Sequence, residues 1–195
     1  MLYIIVTFQK NRMPASDCFS FHTKVYVLKD GVEISMLIDS LKEGDLVKTL
    51  QENKIRWTKI TKNIKREGQF EFIQIDFQNL SNEQTKNVKI QVTPSHGMLV
   101  LVDNSLVLKT AKNIVVGDQM FSSNGEALIV AARNTIFLQN NYQPLTDEGS
   151  LLANDVLVST FCEQDGVEGE IWEKKITDWK MTSFASVSGP STIVG

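Results

Sequence analysis

An all-β fold is predicted by three features of the sequence: many short runs of alternating apolar and polar residues, turn residues between them at close spacing, and few long stretches of helical periodicity. The 195 residues, 42% hydrophobic and 22% charged with 11 Gly and 4 Pro, have the balance of a globular chain rather than a disordered, collagen-like or mucin-like one. That length provides one large domain or two small ones, either with a substantial core.

After Cys18, the segment TKVYVLKDGVEISM alternates on both sides of Asp30-Gly31. Asp-Gly supplies the positive φ angles of a type I′ turn, so a β-hairpin is expected here. Further strands are expected at 45–50, 55–64, 70–77, 87–92, 98–102, 105–108, 119–121, 127–137 and 156–161. Two segments also resemble each other, ISMLIDSLKEGDLVKTLQENKI around Gly44-Asp45 and LVLKTAKNIVVGDQMFSSNGEAL around Gly117-Asp118, 73 residues apart. Leu41 then corresponds to Ile114 and Val47 to Met120. This repeat suggests two related halves, each too small to bury its own apolar face and therefore packed on the other.

The β character stops near Cys162, and the acidic, glycine-containing residues 163–169 read as a boundary. Beyond it, Ile171, Trp172, Ile176, Trp179 and Phe184 fall at helical spacing, a short amphipathic segment followed by a loose tail. The expected organisation is an N-terminal flank at 1–17, a β domain at 18–162 and an extension at 163–195. Residues 2–8 are apolar without a basic region before them, which is a poor signal peptide. The tail of a larger precursor is the better explanation.

A net charge of −3 provides no attraction to nucleic acid. No apolar run approaches the roughly 18 residues of a membrane helix, so stable membrane insertion is not expected. Two cysteines, Cys18 and Cys162, are too few for a disulfide scaffold, and with His22 and His96 they lack metal-ligand spacing. No cofactor or metal is implied.

Taken alone, Cys18 reads as a small buried group, and Thr93 with His96 in VTPSHGMLV is a weak signal. Order and company change that reading. Cys18-Phe19, then Thr23 and Val25, then Leu41 with Gly44-Asp45 and Val47, then Thr93-Pro94-Ser95-His96, then QPLTDEGSLLANDVLVSTF together resemble the Hint family, the self-processing domains of Hedgehog proteins and inteins. In the last block Tyr142, Pro144, Leu145, Thr146, Gly149, Val156, Leu157, Val158 and Ser159 look like the Hedgehog autoprocessing domain.

The resemblance implies a pseudo-two-fold β horseshoe of two interlocked halves, and a reaction. Cys18 would attack the carbonyl of Asp17 and turn the Asp17–Cys18 peptide bond into a thioester by an N-to-S acyl shift. Sulfur suits the task because part of it is thiolate near neutral pH. The departing nitrogen needs a proton, for which a histidine titrating near pH 7 is the natural donor, hence His96. The oxyanion needs donors, hence Thr93 or nearby backbone N–H groups. Residues i and i+3 of a strand face opposite ways, so Thr93 and His96 converge only if the chain turns at Pro94-Ser95.

The implied substrate is the chain's own upstream polypeptide, cut once in cis by a monomer, with water or a small nucleophile as acceptor. Nothing after Phe161 resembles the His-Asn end of an intein, so splicing is not expected. The Hedgehog aspartate that activates a sterol would fall near Asn63, which cannot act as a base, and this argues against sterol transfer. Asp76 reads as a strand-end carboxylate in solvent and His22 as a surface or loop histidine. Where the Hedgehog pattern has cysteine, this chain has Thr160. Cys162 would lie on the same strand face about 6.6 Å further on, a candidate for a second step or for a disulfide with Cys18. Asp17, in place of the Hedgehog glycine, disfavours a neighbouring thiolate, so slow or conditional activity, or an inactive β-module with a binding or structural role, is the alternative. Localisation follows only from analogy, which points to the secretory pathway.

Overall fold

Asp30 and Gly31 take φ of 51° and 75° and join β1 (Lys24–Lys29) to β2 (Val32–Leu37) as the tight hairpin that Asp-Gly favours. The computed structural model describes residues 19–51, 54–79, 88–102 and 105–162. The flank at 1–17, Cys18, and the amphipathic segment and tail beyond 162 lie outside the described residues.

The remaining strands are β3 (Leu46–Gln51), β4 (Lys54–Asn79), β5 (Val88–Val92), β6 (His96–Val102), β7 (Ser105–Thr110), β8 (Gln119–Phe121), β9 (Ala127–Thr146), β10 (Ser150–Ala153) and β11 (Val156–Cys162). The all-β expectation holds. The sheet runs β10-β11-β6-β8-β9-β4-β3-β1-β2, with β5 on β4 and β7 on β6, and a β1–β10 pairing at Val25 and Ala153 joins its first strand to the last but one.

Two expectations need correction. The strands expected at 55–64 and 70–77 are one strand of 26 residues, β4. The polar tract between them reads as a break. It is instead paired to β9, and a bulge takes up the irregularity, since Arg66 pairs with Asn141 but Gln69 with Gln139. Glu67 and Gly68 thus face Asn140, whose φ is 57°. For the same reason β9 runs to Thr146 rather than stopping at Phe137: its polar second half finds backbone partners along β4. Strand β10 was not anticipated. Its four residues are wholly buried and too short for periodicity to register, and the Asn154-Asp155 turn (φ 49° and 66°) folds it onto β11.

The internal repeat appears as two matching turns. Short 3-10 turns at Ile38–Ser40 and Ala111–Asn113 lead into Gly44 and Gly117, at φ 92° and 94°. An L side chain is strained at those angles, which explains glycine at both positions. Gly44 N–H donates to the Ile60 carbonyl at 2.8 Å and Gly117 N–H to that of Val130 at 2.9 Å. The carboxylates of Asp45 and Asp118 accept from Lys42 N–H and Val115 N–H, each at 2.8 Å. Leu41, Ile114, Val47 and Met120, the residues matched by the repeat, are all buried.

The principal core gathers residues of both halves, among them Val25, Val47, Ile60, Ile75, Met98, Met120, Val130 and Val158. A smaller cluster of Leu50, Leu99, Leu106, Phe121, Leu152 and Leu157 lies beside it. Neither half has a core of its own. Among the described residues, no helix is long and apolar enough to cross a membrane.

Candidate active site

Strand β5 ends at Val92, and the chain reverses through Thr93, Pro94 and Ser95 before β6 starts at His96. His96 N–H donates to the Thr93 carbonyl at 3.0 Å, so the turn required at Pro94-Ser95 is present and both candidate side chains belong to it. The second copy of the repeat holds this turn in place. Lys112 N–H, in the 3-10 turn Ala111–Asn113, donates to the Pro94 carbonyl at 2.8 Å, and the Arg133 guanidinium donates to the Lys112 carbonyl at 2.9 Å.

Thr93 and His96 are both buried, His96 at 1% exposure. Burial pushes the imidazole down to about 3, opposed in part by the Ser159 carbonyl, which accepts a hydrogen bond from the ring. This corrects the expectation of a histidine poised near pH 7: in the folded domain His96 is neutral. The Ser159 hydroxyl donates to the Gly97 carbonyl at 2.7 Å, so one residue of β11 holds both the ring and the backbone beside it.

Asp17 and Cys18 lie outside the described residues, but Phe19 does not. Its N–H donates to the Tyr142 carbonyl at 2.8 Å and its carbonyl accepts from Tyr142 N–H at 3.0 Å. It also bridges to Val92, and Ser20 N–H donates to the Gln91 carbonyl at 3.1 Å. The residue after Cys18 is thereby clamped between β5 and β9. Its ring meets His96 edge to face, centroids 4.5 Å apart and planes at 66°. The sequence contains both residues, but 77 positions separate them and no local pattern announces the contact.

Thr160 is buried and its N–H donates to the Gly149 carbonyl at 2.8 Å. The backbone of Cys162 pairs with His96, while Val158 pairs with Met98. The ladder shifts register between those two pairs. His22 is exposed and stacks on Phe21, ring centroids 3.7 Å apart, as a loop histidine. Asp76 is not at a strand end: it sits within β4 opposite Lys89 and Ala132, and its carboxylate accepts from the Gln74 amide at 3.2 and 3.3 Å.

Asn63 ties the first copy of the repeat together, its amide donating to the carbonyls of Ile38 at 2.8 Å and Leu41 at 3.3 Å. An aspartate there would present oxygen to two carbonyl oxygens. Asn63→Asp is expected to destabilise the domain by about 1–3 kcal/mol, read as a lower urea midpoint, without introducing a free base.

No family model matches the chain. It is 26% identical over 147 residues to Warthog protein 1 of Caenorhabditis elegans, a match that covers 73% of this chain and 28% of that protein; the chain thus spans little more than a quarter of that relative. Among solved structures it resembles an intein from a hyperthermophile, with TM-score 0.64 and 14% identity over 74% of this chain and 99% of the other. It also resembles the bacterial intein-like domain from Clostridium thermocellum, with TM-score 0.57 and 20% identity over the same shares of the two chains. A DnaB intein from Synechocystis sp. PCC 6803 gives TM-score 0.58 at 12% identity, over 74% of this chain and 98% of the other. The paired Gly-Asp turns, the shared core of the two halves and these intein neighbours agree: the chain has the fold of the inteins it resembles.

Proposed function

We propose that residues 18–162 form an autoprocessing domain that cuts the Asp17–Cys18 bond in cis, once per molecule, and releases the segment upstream. The observation that carries this reading is the clamping of Phe19 against His96, which ties the residue after Cys18 to a buried, neutral imidazole. Residues 1–17 and 163–195 are flanks in this reading.

A neutral imidazole starts as a base. His96 takes the thiol proton of Cys18, and the thiolate adds to the Asp17 carbonyl carbon. The oxyanion that forms is met by the Thr93 hydroxyl or by backbone N–H groups of the turn, donors whose individual loss typically costs about 2.7–4 kcal/mol. The C–N bond then breaks, and the nitrogen that becomes the amine of Cys18 takes the proton from His96. Burial makes the imidazolium a strong acid, which favours this second transfer. The product is a thioester between Asp17 and the Cys18 sulfur, opened by water or by an external amine or thiol. The tethering of Asn63 to Ile38 and Leu41, where a carboxylate would be needed, supports these acceptors over a sterol.

The same replacement supports the second reading, a Hint-derived module that no longer cleaves. The test is intact-mass analysis of the chain fused behind a folded tag, with and without thiol or hydroxylamine. It is run under reducing and oxidising conditions, because the backbone of Cys162 pairs with His96. Cleavage between residues 17 and 18 that accelerates with nucleophile and vanishes in Cys18→Ala is the expected result. An uncut wild-type fusion under every condition would leave the inactive module.

A further inference from the structure

We propose that Phe19 is the positioning residue of this site: its ring seats the His96 imidazole and closes it off from water, so the residue after the nucleophile governs the group that activates it. The proposal rests on the self-processing reading for its consequence, but its physical basis is independent of that reading. Phe19 is 1% exposed and its ring lies edge to face on His96 at 4.5 Å, within the range of a favourable aromatic pair. A ring at that distance leaves no layer of water on that side of the imidazole.

The backbone gives the ring its precision. Two hydrogen bonds to Tyr142, a bridge to Val92 and the adjoining Ser20–Gln91 bond fix Phe19 between two strands. The Ser159 carbonyl takes the ring's hydrogen bond, so His96 meets both an aromatic edge contact and a backbone acceptor. Two ionisable residues on the surrounding elements are Lys112, whose N–H holds Pro94, and Cys162, whose backbone pairs with His96. Both stay unchanged in the variants below.

The general consequence is that the junction carries its own cover for the base. Cleavage leaves the Cys18–Phe19 bond intact, so His96 keeps its cover while the thioester is resolved. A substitution at Phe19 that preserves packing but removes the ring admits water to the imidazole and weakens its hold on one orientation. The imidazole then titrates closer to its free value, and a misplaced base loses rate.

The test uses the full chain with Phe19→Leu, and with Phe19→Met as a second variant whose flexible side chain refills the space if leucine does not fold. In a non-cleaving Cys18→Ala background, the His96 ring resonances are titrated by NMR. In the tagged chain with Cys18 intact, cleavage is followed against pH. The expected result is an upward move of the His96 titration by about one pH unit, equivalent to tenfold in its protonation constant, with thioester formation slowed about tenfold. An unchanged titration overturns the proposal, whether or not cleavage slows, because slowing alone would reflect packing. An unchanged rate with a moved titration also overturns it. A wild-type fusion that never cleaves removes the self-processing reading, while the titration still decides whether Phe19 governs His96.

Discussion

His96→Gln is expected to slow cleavage at Asp17–Cys18 by about 100 to 10,000-fold, the range that a positioned acid–base group contributes to a reaction. In the proposed reaction two proton transfers pass through one ring. Glutamine offers an amide that donates and accepts hydrogen bonds but does not exchange a proton near neutral pH, so both transfers lose their carrier. Glutamine is also close enough in size to limit the cavity left in a site of 1% exposure. Cleavage of the tagged chain, timed by intact mass, gives the rate. Urea unfolding of the same variant separates loss of chemistry from loss of fold. A rate within tenfold of wild type in a folded variant would remove His96 from the mechanism and leave Cys18 to the turn's backbone donors alone.

The same histidine governs acid stability. Its folded pKa is pushed down to about 3, whereas in the unfolded chain it has the ordinary value near 6.5. Between those values the unfolded state binds a proton at residue 96 that the native state does not, so falling pH favours unfolding. The stabilisation is complete above about pH 6.5 and is lost at up to about 1.36 kcal/mol per pH unit as pH falls towards 3. From pH 7 to pH 5 the contribution amounts to about 2 kcal/mol, in a window where most carboxylates remain ionised. Urea unfolding of Cys18→Ala at pH 7, 6 and 5 should reveal this loss. His96→Gln in the same background should flatten it. Parallel pH dependences in the two chains would mean that the imidazole is solvated in the native state.

Much of this architecture was legible because it is local or repetitive. Asp30-Gly31 announced the first hairpin through turn chemistry, and the Gly44 and Gly117 turns announced each other through their matched apolar flanks. The turn at Pro94-Ser95 followed from a steric argument about strand faces. What stayed hidden is carried by partners distant in sequence. The second half of β9 reads as a loop until β4 supplies its hydrogen bonds, and four buried residues at 150–153 are too few to show a period. The ionisation of His96 is of this kind too. Its composition and neighbours in VTPSHGMLV suggest an ordinary titration, and only burial in the folded domain makes it a neutral group. Asn63 shows the reverse: its identity alone excluded a base, and the structure added the reason an amide is useful there.

The distribution of the site along the chain also sets a clock. Phe19 is seated by Tyr142, and His96 takes its acceptor from Ser159, so the surroundings of the junction are complete only when the chain has been made through residue 159. At roughly 5–20 residues per second, the ribosome needs roughly 7–28 s to travel from residue 19 to residue 159. In the self-processing reading, a polypeptide upstream of Cys18 therefore has that interval to fold before the bond that joins it to this domain can be cut. Sequence-distant pairing, which slows the folding of β proteins, would on that reading separate the making of a cargo from its release.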